Sequence, residues 1–338
     1  MLAGVCAEEY NTDTVHRSVF RAAFIYPACP PLASFAGEVR MALRFVDLHT
    51  HSTASDGSLN PSCLVKKAHS LGLAALALTD HDTLEGLNEA ETEAETLKAA
   101  YPDVPFEFVR GCELSSRCGS AEAHILGLWI DRDEAKLYGL KKKLLEVQAQ
   151  RFMRNAAMAE KLQSLGLGVR LEDVETLAGG KIVARPHFAA HLLRIGAVKS
   201  IREAFEKYLG YNGAAYIPRE LMKPEEAVSL LAECGATVAL AHPMLMHCPI
   251  EELDELITRL KPYGLNALEA YHSEHGAADE RSCVELAVRH GLLLSGGSDF
   301  HGESKPLVKL GKGHGSLRVS KAVLERLKQD RRERSLSF

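Results

Sequence analysis

The sequence has no C-x-x-C pair among its eight cysteines, no run near the 18 or so consecutive apolar residues of a membrane span, and no excess of basic charge. Scattered thiols argue against a disulfide framework or a zinc ribbon and fit a reducing, cytoplasmic setting. With 40 Lys and Arg against 45 Asp and Glu, the net charge of -5 excludes a broad basic face for nucleic acid. A short strand entering a cationic active site stays compatible with it. The N-terminal stretch meets Glu8, Glu9 and Asp13 before a brief apolar run at 22–26, which makes it a poor secretory signal. Internal repeats and low-complexity tracts are absent too. What is there is average globular usage, 46% apolar and 25% charged over 338 residues, so disorder, collagen and coiled coil are ruled out. The length suits two domains, or one barrel-sized domain with an insertion. Histidine is the one anomaly, with 15 residues, several of them where a predicted strand ends.

Residues 1–43 show no sustained periodicity and read as an extension outside the fold, with Met41 a candidate start. From Phe45 onward, short apolar runs at 45–48, 73–78, 106–109, 125–130, 237–241, 267–271 and 292–295 alternate with helical patterns, which predicts about seven strands in βα units around a parallel sheet. Residues 134–216 are helical throughout and read as an insertion, so the barrel is expected from 44–133 and 217–338. The charged end of the chain, 321–334, reads as a solvated surface helix.

His49 and His51 lie two apart at the end of the first strand, so both side chains leave one face and can reach one ion. Later strands add residues of the same kind: Thr79-Asp-His81-Asp, Gly111-Cys-Glu113, His124 at the opening of the fourth strand, Ala241-His242-Pro, and Ser298-Asp299-Phe-His301. In barrel enzymes the active site lies at the C-terminal face, built from several strand ends. Together with Asp56 these make six histidines and three carboxylates, a donor set sized for three ions with Glu113 bridging. Paired ions of this sort lower the pKa of a bound water and clamp the attacking and leaving oxygens, so no serine or cysteine nucleophile is required.

These motifs resemble the PHP (polymerase and histidinol phosphatase) family of metal-dependent phosphoesterases, over roughly 45–133 and 217–315. The resemblance implies a distorted (β/α)7 barrel, a fold of the α/β class, holding two or three divalent ions, manganese foremost, with iron or zinc as alternatives. It implies a first ion on His49, His51, Glu113 and Asp299, a second on Glu113, His124 and His242, and a third on Asp56, His81 and His301. Glu113, Asp299 and His301 are the candidate catalytic residues. The competing amidohydrolase-type barrel usually bridges its metals with a modified lysine, whereas here Glu113 takes that place and His301 follows Asp299.

In the insertion, Arg185 and His187 precede a predicted helix whose N-terminus can face an anion. This segment resembles the insertion of the subgroup that removes phosphate from nucleoside 3′,5′-bisphosphates and trims short RNA from its 5′ end. Arg185 and His187 are therefore candidate substrate contacts, as is His272, which follows the sixth strand with Glu269 and His275. The expected substrate is a phosphorylated nucleotide or short RNA. A small phosphomonoester such as histidinol phosphate and a non-catalytic polymerase-associated module are the alternatives. Neither a membrane nor a protein partner is indicated.

Overall fold

The computed structural model describes residues 45–119, 121–179 and 182–338. The N-terminal extension expected over 1–43 lies outside the described residues. Seven strands form one sheet in sequence order: β1 (Val46–Asp47), β2 (Ala75–Leu78), β3 (Glu107–Cys118), β4 (Ala121–Leu128), β5 (Thr237–Leu240), β6 (Leu265–His272) and β7 (Leu293–Gly297). Its edges curl together, with the Leu48 N–H donating to the Gly296 carbonyl at 3.2 Å and the Asp299 N–H to the His49 carbonyl at 2.9 Å. The result is a nearly closed barrel. Gly297 permits that closure, because a Cβ there would sit 2.3 Å from the His49 nitrogen.

Alternation along each strand decides which side chains fill the barrel. Ala75 and Ala77 of β2, Ala239 of β5 and Ala267 of β6 face a narrow interior with Val46, Leu48 and Leu126. Leu76 and Leu78 point the other way, into a layer of leucines from the first two helices. Val238, Leu240 and Leu268 do the same on the far side.

The described residues form ten α-helices: α1 (Pro61–Ser70), α2 (Leu87–Ala100), α3 (Glu134–Ser164), α4 (Leu171–Ala178), α5 (Arg185–Arg194), α6 (Ile201–Ala204), α7 (Pro224–Glu233), α8 (Ile250–Leu260), α9 (Ala277–His290) and α10 (Lys321–Glu333). A π-helical turn at Phe205–Leu209 continues α6. Helix α3 starts where the Asp133 side chain accepts from the Ala135 N–H, and it serves two cores. Leu137, Leu140, Leu144 and Val147 pack with α7 and α8 residues on the barrel. Met158, Ala159 and Leu162 pack instead with Val174, Phe188 and Leu192 in a separate cluster. Its middle turns cross the barrel mouth. No helix among the described residues is long and apolar enough to cross a membrane.

The expected all-parallel arrangement does not form. The sheet is not parallel throughout: β4 runs antiparallel to both β3 and β5. Only two residues separate Cys118 from Ala121, too few for the crossover that a parallel neighbour requires. Strand β3 also extends to Cys118, well beyond the apolar run that ended at Val109. The reversal brings the start of β4, with His124, to the rim where the parallel strands end.

Candidate functional site

Glu113 sits at the centre of that rim, fully buried. Its Oε2 lies 3.2 Å from both His49 Nε2 and His51 Nε2 and 3.0 Å from His81 Nδ1. Its Oε1 lies 2.9 Å from His124 Nδ1 and 3.1 Å from His242 Nε2. Asp299 approaches His51 at 3.1 Å and His301 at 3.4 Å, and His301 Nε2 is 3.2 Å from Asp56. All nine residues singled out in the sequence therefore converge. Donor atoms of His51, Asp56, His81 and His301 lie within 4.8 Å of one another, as do those of His49, His51 and Asp299, those of His49, Glu113 and His242, and those of His81, Glu113 and His124.

The backbone supplies this convergence at a cost. Parallel bridges join Thr50 to Phe300 and His81 to Glu113, locking the loops that carry the donors. His242 at φ 24° and Asp299 at φ 54° occupy the left-handed region, which costs each about 1–3 kcal/mol and is typical of functional positions. Two buried carboxylates hold the loops in place. Asp47 accepts from Ser298 N–H at 2.7 Å and from Gly311 N–H at 2.7 Å. Asp80 accepts from Ser52 N–H at 2.7 Å and Ser55 Oγ at 2.5 Å.

The donors fit a cation. His49 Nε2, both ring nitrogens of His51, His81 Nδ1, His272 Nε2 and Glu113 Oε2 are buried without a hydrogen-bond partner among the described residues, an arrangement that folded proteins otherwise avoid. Burial resists the ionisation of Glu113, yet His81, His49 and His124 hold its carboxyl well below the usual range. Burial likewise pushes His81 down to about 3 and His242 down to about 4, so both are neutral and able to ligate. For His49 burial is outweighed by Glu269, Glu113 and Asp299, which raise it well above its ordinary value. The pull that keeps a proton there is the same pull that draws in a metal ion.

Glu269 faces this cluster from behind. Its oxygens lie 3.0 and 3.1 Å from His49 Nδ1, and Oε2 accepts from the His242 N–H at 2.8 Å. It fixes the His49 ring so that Nε2 looks inward, a role that carboxylates commonly play behind metal-binding histidines. His272, expected at the substrate, is instead buried inside the cluster with Nε2 3.5 Å from Asp299, and it does not line the adjoining cavity.

That cavity, of about 190 Å³, opens between the cluster and the helical segment. Asp56, His81 and His124 form one wall, while Arg151, Arg154, Arg185 and Arg219 form the other. Arg185 stands where the sequence placed it, at the start of α5. His187 is buried on the same first turn, and its Nδ1 accepts from the Ala184 N–H at 3.0 Å, which leaves Nε2 as the protonated nitrogen. Arg151, Arg154 and Arg219 escaped the sequence reading. Arg151 and Arg219 share Asp82, the latter at 3.3 Å, and Arg185 reaches Glu122 only at 3.9 Å. Arg154 has no ion pair among the described residues, and its Nε is buried unpartnered. Burial and the guanidiniums of Arg151, Arg219 and Arg185 push Arg154 down to about 9, still charged at neutral pH. Of the four arginines, two share Asp82 and one leans toward Glu122, which Arg117 holds more closely at 3.2 Å.

The PHP domain pattern matches residues 47–213. The 5′-3′ exoribonuclease Rnm of Escherichia coli is 32% identical over 267 residues, which cover 79% of this chain and 88% of that protein. The chain belongs to the PHP domain family. A 3′,5′-nucleoside bisphosphate phosphatase of Chromobacterium violaceum is 34% identical over 258 residues, 76% of this chain and 87% of that one. Among solved structures, a Bifidobacterium adolescentis protein provisionally described as a metal-dependent phosphoesterase superposes with a TM-score of 0.72 at 27% identity, covering 83% of this chain and 94% of the other. A Chromobacterium violaceum protein described as an amidohydrolase, with bound sulfate, gives 0.71 at 31% identity over 84% and 96%. This PHP chain is a metal-dependent phosphoester hydrolase.

Proposed function

We propose that the chain removes or cleaves a phosphate ester on a nucleotide bearing a second phosphate: a nucleoside 3′,5′-bisphosphate or the 5′ end of a short oligoribonucleotide. The observation that carries this reading is Arg154, a buried guanidinium without an ion-pair partner among the described residues, one of four arginines that line the cavity beside the histidine cluster. A phosphate is the anion of matching charge and fork geometry. The relatives named for such substrates support the same reading.

In this reading His49, His51, Glu113 and Asp299 would hold one divalent ion, Glu113, His124 and His242 a second, and Asp56, His81 and His301 a third. Two or three ions would occupy the centre, manganese foremost, with iron or zinc as alternatives. Such ions would supply a hydroxide nucleophile near neutral pH and would offset the negative charge on the phosphoryl and leaving oxygens. The chain's own residues orient the substrate. Arg154, with Arg151, Arg219 and Arg185, grips the second phosphate, and His187, beside Arg185 on α5, is the further candidate contact. Glu269 keeps His49 and His242 in register. The thiols of Cys112, Cys118, Cys234, Cys248 and Cys283, free among the described residues, accord with a cytoplasmic setting. A non-catalytic module accords poorly with nine converging donors, and histidinol phosphate, which carries an ammonium group and no second phosphate, accords poorly with a wall of arginines.

The test is a substrate panel with manganese-loaded protein: adenosine 3′,5′-bisphosphate, a 5′-phosphorylated trinucleotide, AMP and histidinol phosphate. A charge-assisted phosphate contact contributes about 1.5–3 kcal/mol, so kcat/KM for the first two should exceed that for AMP roughly ten- to hundredfold. Equal turnover of AMP, or preference for histidinol phosphate, overturns the reading.

A further inference from the structure

Helix α3 buries one face and leaves a second apolar stripe in solvent. Tyr138, Leu145, Phe152 and Met153 are 71%, 69%, 58% and 63% exposed. With 100° per residue, Tyr138, Leu145, Ala149, Phe152 and Ala156 fall within one narrow sector, well away from Leu137, Leu144, Arg151 and Met158, which point inward. Clustered exposed side chains of this size are unusual on a solvated helix and mark a contact surface.

The pattern along the stripe is symmetric. Tyr138 and Phe152 lie seven residues on either side of Leu145. A second copy laid antiparallel across a two-fold axis at Leu145 sets Leu145 on Leu145 and Tyr138 of each copy on Phe152 of the other, over about 21 Å of helix. The charges beside the stripe obey the same symmetry. Lys142 and Glu146 lie on one flank, three residues before and one residue after Leu145, so the two-fold brings each Lys142 near the opposite Glu146. Both side chains are exposed. Lys142 has no ion pair among the described residues, and Glu146 has only a loose one with Lys143 at 3.8 Å, while Lys143 is closer to Glu226 at 2.6 Å.

We infer that this face of α3 is a self-association surface, through which two copies of the chain pair helix to helix with reciprocal Lys142–Glu146 contacts. One pair of helix faces falls short of the roughly 1,200–2,000 Å² of a standard stable interface, so the dimer is a weak one, formed at micromolar concentration. The inference is independent of the substrate reading.

Sedimentation equilibrium of the full chain from 1 to 200 μM, at about 50 mM salt, tests it. The wild type should shift from monomer to dimer across this range, and Leu145→Asp should raise the dimer dissociation constant at least tenfold with an unchanged melting temperature. Lys142→Glu and Glu146→Lys should each weaken the dimer severalfold, and the double variant should recover it, because the reciprocal pairs are then restored with their signs exchanged. A full chain that stays monomeric throughout overturns the proposal, whether the stripe lies bare or is covered by residues 1–44 of its own chain. So does a dimer that Leu145→Asp leaves intact, or charge variants whose effects fail to compensate.

Discussion

The histidine cluster and the arginine wall face one another across a single cavity, and they handle charge in opposite ways. In the cluster, three carboxylates are wrapped by neutral or protonatable rings, with Glu113 touching five histidines. That assembly pulls positive charge inward. Across the cavity stand four guanidiniums, one of them without an ion pair among the described residues. That assembly calls for an anion. In the proposed reading metal completes the first and substrate the second. The barrel loops are held by Asp47 and Asp80 without substrate, whereas the arginines repel one another at Arg154 against a partial offset from Glu122.

The sharpest way to break the cluster side is Glu113→Gln. The amide nitrogen cannot bind a cation, and the bridge serves several histidines at once. Activity should fall on the order of a thousandfold or more, since several kcal/mol of charge stabilisation vanish, and elemental analysis should show metal content reduced below that of the wild type. Wild-type protein that retains at most one metal per chain after manganese loading would break the account of a multi-ion centre.

The arginine side yields next. Arg154→Met should lower kcat/KM for a bisphosphate roughly ten- to hundredfold while leaving AMP nearly unchanged, as steady-state assays on both substrates would show. Because it removes a repelled charge, the same variant should not lower the melting temperature. A parallel loss on AMP would mean that Arg154 serves the reacting phosphate and that the two walls are not separate in function. Glu269→Gln probes the cluster from behind and should weaken metal affinity about 10–100-fold, measured by competition with a chelator, with activity regained at excess manganese. Arg185→Ala should have the smallest effect, within about tenfold on bisphosphate, because this side chain is part exposed and already leans toward Glu122.

The two sides also differed in how far the sequence exposed them. Barrel ligands sit in short motifs at strand ends, such as His49-Thr-His51 and Ser298-Asp299-Phe-His301, where local spacing already implies a shared target. The seven strands were legible for a similar reason, since their apolar runs are local. The pairing of β3 with β4 was not, because the third apolar run stops at Val109, and the polar residues beyond it belong to the strand only through the hairpin and the site they line. Arg151 and Arg154 lie in an otherwise ordinary amphipathic helix, at positions in phase with Leu144, Val147 and Met158. Charged residues on the buried phase of a helix were the available signal, and only the crossing of α3 over the barrel mouth gives them a meaning. Arg219 lies outside any regular element, and nothing local marks it. Glu269 and His272 were placed at the correct end of β6 but turned out to brace the cluster and sit within it.

The hairpin has one further consequence. His124 pairs with Ser115, and its neighbours Ala123 and Ile125 pair with Ser116 and Leu114. Side chains alternate between the two faces of a strand, so an added or lost residue at the tip, if absorbed by sliding β4 one position, would turn His124 outward and present alanine or isoleucine to Glu113. The two residues between Cys118 and Ala121 therefore act as a length gauge. A single insertion between Cys118 and Ala121 would disarm the centre as surely as replacing the histidine.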